Sequence, residues 1–209
     1  MQIGHKRQLS RFNFILTGPK GSEMNAVNKV KNIINTEIIK VSTIKPQSFA
    51  ELIMDLLGDL SETYNYVKDL EDSYPDFYKW YHNKVLKELK QKNGRREILL
   101  SISTIKLESE EVSTKKVISG IAVLKNYESE KKICTFRLIP DFYRTGLSDL
   151  LMNESMKFLK TKTPMITISE NRVELFENIL ARYEFKLSQK LPDYYKKGLT
   201  EFVYNGKLE

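Results

Sequence analysis

Sulfur and imidazole are scarce in this chain: 209 residues hold one cysteine, Cys134, and two histidines, His5 and His82. One cysteine excludes an intramolecular disulfide, and a reducing, cytoplasmic setting is the expectation. Cys134 sits in an apolar run, where it reads as a small buried side chain. A zinc centre takes four nitrogen or sulfur ligands, or three plus water, so no metal is expected. No apolar stretch approaches the roughly 18 residues that would span a bilayer, so no membrane partner is expected. The first residues lack an apolar core followed by a small-residue cleavage site, so no secretory signal is expected. There is neither an internal repeat nor a low-complexity segment. Hydrophobic content of 41% and charged content of 29% are those of an ordinary globular chain, long enough to bury a substantial core.

What the sequence does have is positive charge, unevenly spread. The net charge is +7, and five of those seven charges lie in residues 1–35, where Lys6, Arg7, Arg11, Lys20, Lys29 and Lys31 face only Glu23. The reading is a basic N-terminal extension over 1–35 and one domain over 36–209. Such an extension can meet nucleic acid or stay a solvated arm. Within it, Phe12–Leu16 is a short apolar run, and Thr17–Ser22 breaks regular structure. The latter holds Gly, Lys and Ser but lacks the Gly-x4-Gly-Lys-Ser/Thr spacing of a phosphate loop. Met24 offers an alternative start.

From Thr36 onward the pattern becomes regular. Glu37–Ile44 predicts a strand. Phe49, Leu52, Ile53, Leu56 and Leu57 predict a helix after Pro46, and Ser61–Leu70 a second. Phe77, Trp80, Tyr81, Val85, Leu86 and Leu89 form one face of a third helix that ends at Asn93-Gly94. Arg96–Ile105, Val117–Leu124 and Lys132–Ile139 predict an antiparallel meander, with a polar turn over Glu108–Lys116. A helix over Gly146–Leu159, a short strand over Pro164–Ile168, and a helix capped by Ser169 or Asn171 follow. Strands at Phe185–Leu187 and Glu201–Tyr204 close the chain around the loop Pro192–Gly198. The fold class is therefore α+β (α/β): a mixed, mostly antiparallel central sheet flanked by helices.

The densest chemistry lies in Lys132–Leu151, KICTFRLIPDFYRTGLSDLL. A strand runs to a proline and a short turn, and Gly146 opens a helix. Unpaired N–H groups at such a helix start bind phosphate. This stretch resembles the acyl-CoA site of the GNAT superfamily of N-acetyltransferases, whose pattern is strand, proline, Arg/Gln-x-x-Gly-x-Gly/Ala, helix. That register falls on Tyr143-Arg144-Thr145-Gly146-Leu147-Ser148. Gly146 is kept; Tyr143 and Ser148 depart from the pattern. The element order over residues 36–206 is also similar to the family's, and Arg182-Tyr183-Glu184-Phe185 resembles its closing helix and the strand after it, with Glu184 in place of a glycine.

The resemblance implies an acetyl-CoA-dependent N-acetyltransferase that moves an acyl group to an amine-bearing acceptor by direct attack in a ternary complex. Acetyl-CoA would be a co-substrate. The fourth and fifth strands would splay, with the backbone of Phe136 and Leu138 holding the pantetheine arm, and an N–H near Leu138 meeting the thioester carbonyl. The turn Tyr143, Arg144, Thr145, Gly146, Leu147 and Ser148 would hold the pyrophosphate. Asn171 is a further cofactor-binding candidate, and Arg144 and Lys132 would either reach the CoA phosphates or stay solvated. For the proton acceptor the candidate is Glu97, although a strand-start surface carboxylate paired with a neighbouring arginine is the more ordinary reading of that position. The tyrosine many members place in the last helix falls on Leu180 or Asn178; Tyr183, one turn on, is the catalytic candidate there, with a core role as its alternative. Tyr74 and Tyr78 would line the acceptor cleft, and Tyr194-Tyr195 its rim. Two other readings stay open: a non-catalytic acyl-CoA-binding protein, and a nucleic-acid-associated protein acting through the basic arm.

Overall fold

The computed structural model describes residues 33–44, 60–106 and 113–208. The basic segment up to residue 32, the helix expected after Pro46, and the acids Glu108, Glu110 and Glu111 lie outside the described residues. Seven strands form one sheet: β1 (Ile33–Lys40), β2 (Arg96–Lys106), β3 (Thr114–Asn126), β4 (Lys131–Leu138), β5 (Met165–Ser169), β6 (Leu187–Pro192) and β7 (Thr200–Tyr204). Their order is β1-β2-β3-β4-β5-β7-β6. Every neighbouring pair is antiparallel except β4 with β5.

Helices cover both faces. On one lies α1, built from Phe77–Trp80, Tyr81–Val85 and Leu86–Lys90, together with 3-10 turns at Leu60–Tyr66 and Lys68–Asp72. Val67, Tyr81, Val85 and Leu89 pack there on Ile98, Leu100, Ile121 and Val123. On the other face lie α2 (Leu147–Leu159) and α3 (Val173–Arg182). Their Leu151, Met152, Leu159, Ile179 and Leu180 pack on Leu99, Ala122, Leu124 and Ile133. Successive strand residues point to opposite faces, so a sheet covered on both sides needs the unbroken apolar runs seen in β2 and β3.

The chain departs from its sequence pattern at identifiable places. Strand β1 begins at Ile33 and ends at Lys40, because Val41–Thr43 turns off the sheet and Ser42 bonds Glu97. The helix expected over Ser61–Leu70 is a pair of 3-10 turns, which suits Tyr64, Val67 and Leu70, core-contacting residues spaced by three. The middle of α1 is a π-turn; an i, i+4 apolar spacing does not separate it from α-helix. Glu170–Arg172 forms a 3-10 turn before α3, and neither Ser169 nor Asn171 caps that helix by a side-chain bond. Strand β6 lies later than Phe185–Leu187; it is a largely exposed edge strand, whose polar sequence gives no alternation to read.

Candidate functional site

Strands β4 and β5 pair at only two positions, Lys132 with Met165 and Ile133 with Ile166, and then part. Beyond Ile133, β4 keeps its β3 partners as far as Leu138 opposite Gly120. The N–H of Ile139 donates to Ser119 on the β3 side. By the alternation of a strand, Arg137 turns its backbone groups to β3, while Phe136 and Leu138 turn theirs to the gap. Gly120 is what allows β3 and β4 to lie so close there. A Cβ at that position would stand 2.7 Å from Leu138 Cδ2 and 3.0 Å from the Arg137 carbonyl oxygen.

At the end of β4, Pro140–Phe142 makes a 3-10 turn, and Thr145 Oγ1 donates to the Phe142 carbonyl at 2.6 Å. Arg144 has φ +62° and Gly146 φ +84°. A Cβ added to Gly146 would meet nothing within 4 Å, so glycine answers here to the left-handed backbone and leaves the surface open. Among the described residues, nothing accepts from the N–H groups of Arg144, Thr145, Gly146, Leu147 or Ser148. Such a run of N–H groups in a turn, at a helix N-terminus, is an anion cradle. Leu147 is buried in the core and Tyr143 packs against it, so neither departs from a structural role. Asn171 Oδ1 accepts from Ser73 Oγ at 3.3 Å, tying the turn after β5 to the start of α1.

The face of the gap toward α1 is polar and buried. Glu201 on β7 is 3% exposed and accepts from Tyr74 Oη at 3.0 and 3.3 Å and from the Thr167 hydroxyl. Burial pushes its carboxyl above the usual range, against the opposing pull of those two hydroxyls and of Lys132. Lys132 is 8% exposed, and burial lowers its ammonium below the ordinary lysine value, with Cys134, Glu130 and Glu201 pulling it back. Thr135 Oγ1 is buried with no partner among the described residues. Tyr195, from the loop between β6 and β7, stacks edge-on against Tyr74 at 5.1 Å. At the open end, Arg137 of β4 and Arg172 after β5 both bond Asp69 Oδ2, at 2.5 and 3.1 Å.

Several sequence expectations meet a different setting. Glu97 is not a surface carboxylate: it is 2% exposed, and it accepts from the Ser42 N–H and hydroxyl at 3.0 and 2.5 Å and from the Ile98 N–H at 3.1 Å. It pairs with Leu124, which pairs with Ile133, and so lies level with the closed end of the gap. Its arginine neighbour, Arg96, bonds Glu88 at 2.6 Å instead. Tyr183 donates to Asn153 Oδ1 at 3.0 Å and to the Asp149 carbonyl at 3.3 Å, so its hydroxyl is held by α2. Burial and the nearby Asp149 raise its phenol above the usual value. Lys132 is buried at the closed end of the gap, six residues before the end of β4 and the phosphate turn beyond it, so it does not reach that turn's ligand. Glu201 is the residue the sequence reading missed. Its signal was parity: Glu201 and fully buried Val203 share one face of β7.

No protein-family model and no curated protein matches the sequence. Solved structures do resemble it. One is a GNAT-family structure from Desulfovibrio desulfuricans, 12% identical, covering 81% of this chain and 97% of that one, with TM-score 0.48. Another is a GNAT-family acetyltransferase from Bacillus cereus, 17% identical over 84% and 99%, with TM-score 0.44. A third is the NatC complex bound to Gag peptide and CoA, 12% identical over 80% and 96%, with TM-score 0.47. The parallel β4/β5 pair that parts after two residues and the turn from β4 into α2 are the features that the resemblance of the sequence implied. Fold alone names no acceptor.

Proposed function

We propose that this protein is an acetyl-CoA-dependent N-acyltransferase acting on an amine. The observation that supports it is the parting of β4 from β5: Phe136 and Leu138 turn backbone groups that pair with no strand among the described residues to a gap, which runs directly into a turn of five N–H groups without an acceptor among those residues. An extended pantetheine-like arm adds to such an edge as a strand does, and a pyrophosphate suits the N–H cradle. Acetyl-CoA supplies the activated acyl group. The Leu138 N–H is the donor placed for the oxyanion that develops on it.

Glu201 is the proton acceptor in this proposal. An ammonium must lose a proton before its nitrogen can attack. A carboxylate raised by burial, and aimed by Tyr74 and Thr167, takes that proton more readily than an exposed one. The C–N bond then forms as the C–S bond breaks. A thiol of pKa near 8.5 leaves as thiolate without a placed acid, so Tyr183 need not serve.

Thermal unfolding with acetyl-CoA, CoA or ATP tests the cofactor site. At about a hundredfold over Kd, a ligand that binds the native state adds roughly 2.7 kcal/mol, or about 5–10 °C for a chain of this size. A shift with acetyl-CoA and CoA, but none with ATP, is expected; no shift with either thioester or thiol refutes the site. Glu201→Gln should keep the shift and lose at least about a hundredfold in acetyl transfer across a panel of primary amines.

A further inference from the structure

Helices α2 and α3 end side by side. Each is closed by a left-handed residue that carries a side chain: Lys160 at φ +53° and Glu184 at φ +53°. The Thr161 N–H returns to Met156, and the Phe185 N–H to Leu180. The two turns wall a pocket of about 770 Å³, the size of a small-ligand site. It is lined by α2 from Asn153 onward, so about six residues of helix, roughly 9 Å, separate its near wall from the phosphate turn.

Five of the residues lining this pocket are cations: Lys157, Lys160, Lys162, Arg182 and Lys186; Glu184 is its sole acid. Two of the five are already partnered, Lys157 by Glu154 and Arg182 by Asp149. No acid among the described residues pairs with Lys160, Lys162 or Lys186. The C-terminal ends of two helices bring about one negative charge between them. With Glu184 this leaves the pocket with an excess of about one positive charge, carried by the three lysines. The remaining walls suit more than a bare anion. Tyr183 offers a ring, and Thr161, Thr163 and Asn153 offer hydroxyl and amide groups. Lysines and an aromatic ring lining one pocket are the elements of a single-strand site: phosphates on the cations, a base against the ring.

We propose that this pocket binds a short stretch of single-stranded nucleic acid, with backbone phosphates on Lys160, Lys162 and Lys186 and one base on Tyr183. Neither the acyl-transfer reading nor the basic N-terminal segment is needed for it.

The test is fluorescence anisotropy of a labelled ten-nucleotide single strand with the full chain, from 50 to 300 mM salt. Three phosphate contacts contribute about −2 to the slope of log K against log salt. The triple variant Lys160→Glu, Lys162→Glu, Lys186→Glu, all at exposed positions, should lower affinity at least tenfold and flatten the slope by about 2. Tyr183→Leu should weaken binding about fivefold or more with the slope unchanged. The control is Lys84→Glu, Lys87→Glu, Lys90→Glu, exposed on α1, which makes the same charge change on the other face. Equal losses in both triple variants would reduce the effect to overall charge and overturn the proposal. So would an unchanged slope in the first triple variant. Displacement of the strand by a mononucleotide at equal phosphate concentration would assign the pocket to a small phosphorylated ligand instead.

Discussion

Replacing Gly146 with alanine separates the two duties of the phosphate turn. The added Cβ meets no atom within 4 Å, so there is no clash to relieve. What it meets is a backbone at φ +84°, where an L-residue costs about 1–2 kcal/mol. For a chain of this length that is a fall in Tm of roughly 2–8 °C. Acetyl-CoA should suffer more than the fold does. Backbone strain that turns the N–H groups out of line and loses two bonds to a charged oxygen, at about 1.5 kcal/mol each, weakens binding by about a hundredfold. Gly206→Ala is the comparison. Its Cβ runs into the Met165 side chain, 2.6 Å from Sδ, an overpacking worth about 1–3 kcal/mol, so it should match or exceed the stability loss without touching the cradle. Isothermal titration with acetyl-CoA, alongside urea unfolding of both variants, reads the two effects. An unchanged Kd in Gly146→Ala, with the expected drop in Tm, would show that the turn does not hold the phosphates.

Two further outcomes follow from buried charges. Glu201 has its folded-state pKa raised by burial, so it contributes fully to stability below the unfolded carboxyl value of about 4.3, and that contribution fades as pH rises through the folded value. Glutamine does not titrate. Glu201→Gln should therefore gain stability relative to the parent between pH 4.5 and 7.5 in urea unfolding, and a relative loss would contradict the buried, raised carboxyl. Arg96 is fully enclosed, bonds Glu88 at 2.6 and 2.8 Å and reaches Cys134 Sγ at 3.4 Å. Arg96→Ala strands Glu88 and should cost about 3–5 kcal/mol; a measured loss below 1 kcal/mol would mean that this pair is not structural.

The fold was largely legible because its strands are apolar on both faces and its helices on one. Gly146, Pro140 and the run Ile133–Leu138 gave the strand-turn-helix its place to within a residue or two. What did not show was anything that depends on a distant partner. Glu97 reads as a strand-start carboxylate until Ser42 turns off the sheet to meet it. Glu201 lies some seventy positions beyond Lys132, and only the sheet order, β4-β5-β7, brings them near. Tyr183 lies one turn past the position expected for a catalytic tyrosine, and Asn153 and Asp149, a helix away, hold its hydroxyl. Local periodicity records which face is buried, not which polar group waits on the neighbouring strand.

Asp69 binds two arginines that belong to opposite lips of the gap, Arg137 on β4 and Arg172 just after β5. It acts as a strut, holding the lips at one spacing from outside. The interval between the strands is therefore part of the protein's own architecture and need not be wedged open by whatever enters. Entry should then be limited by encounter and orientation rather than by prising strands apart, so cutting the strut would slow association before it altered the rate of release.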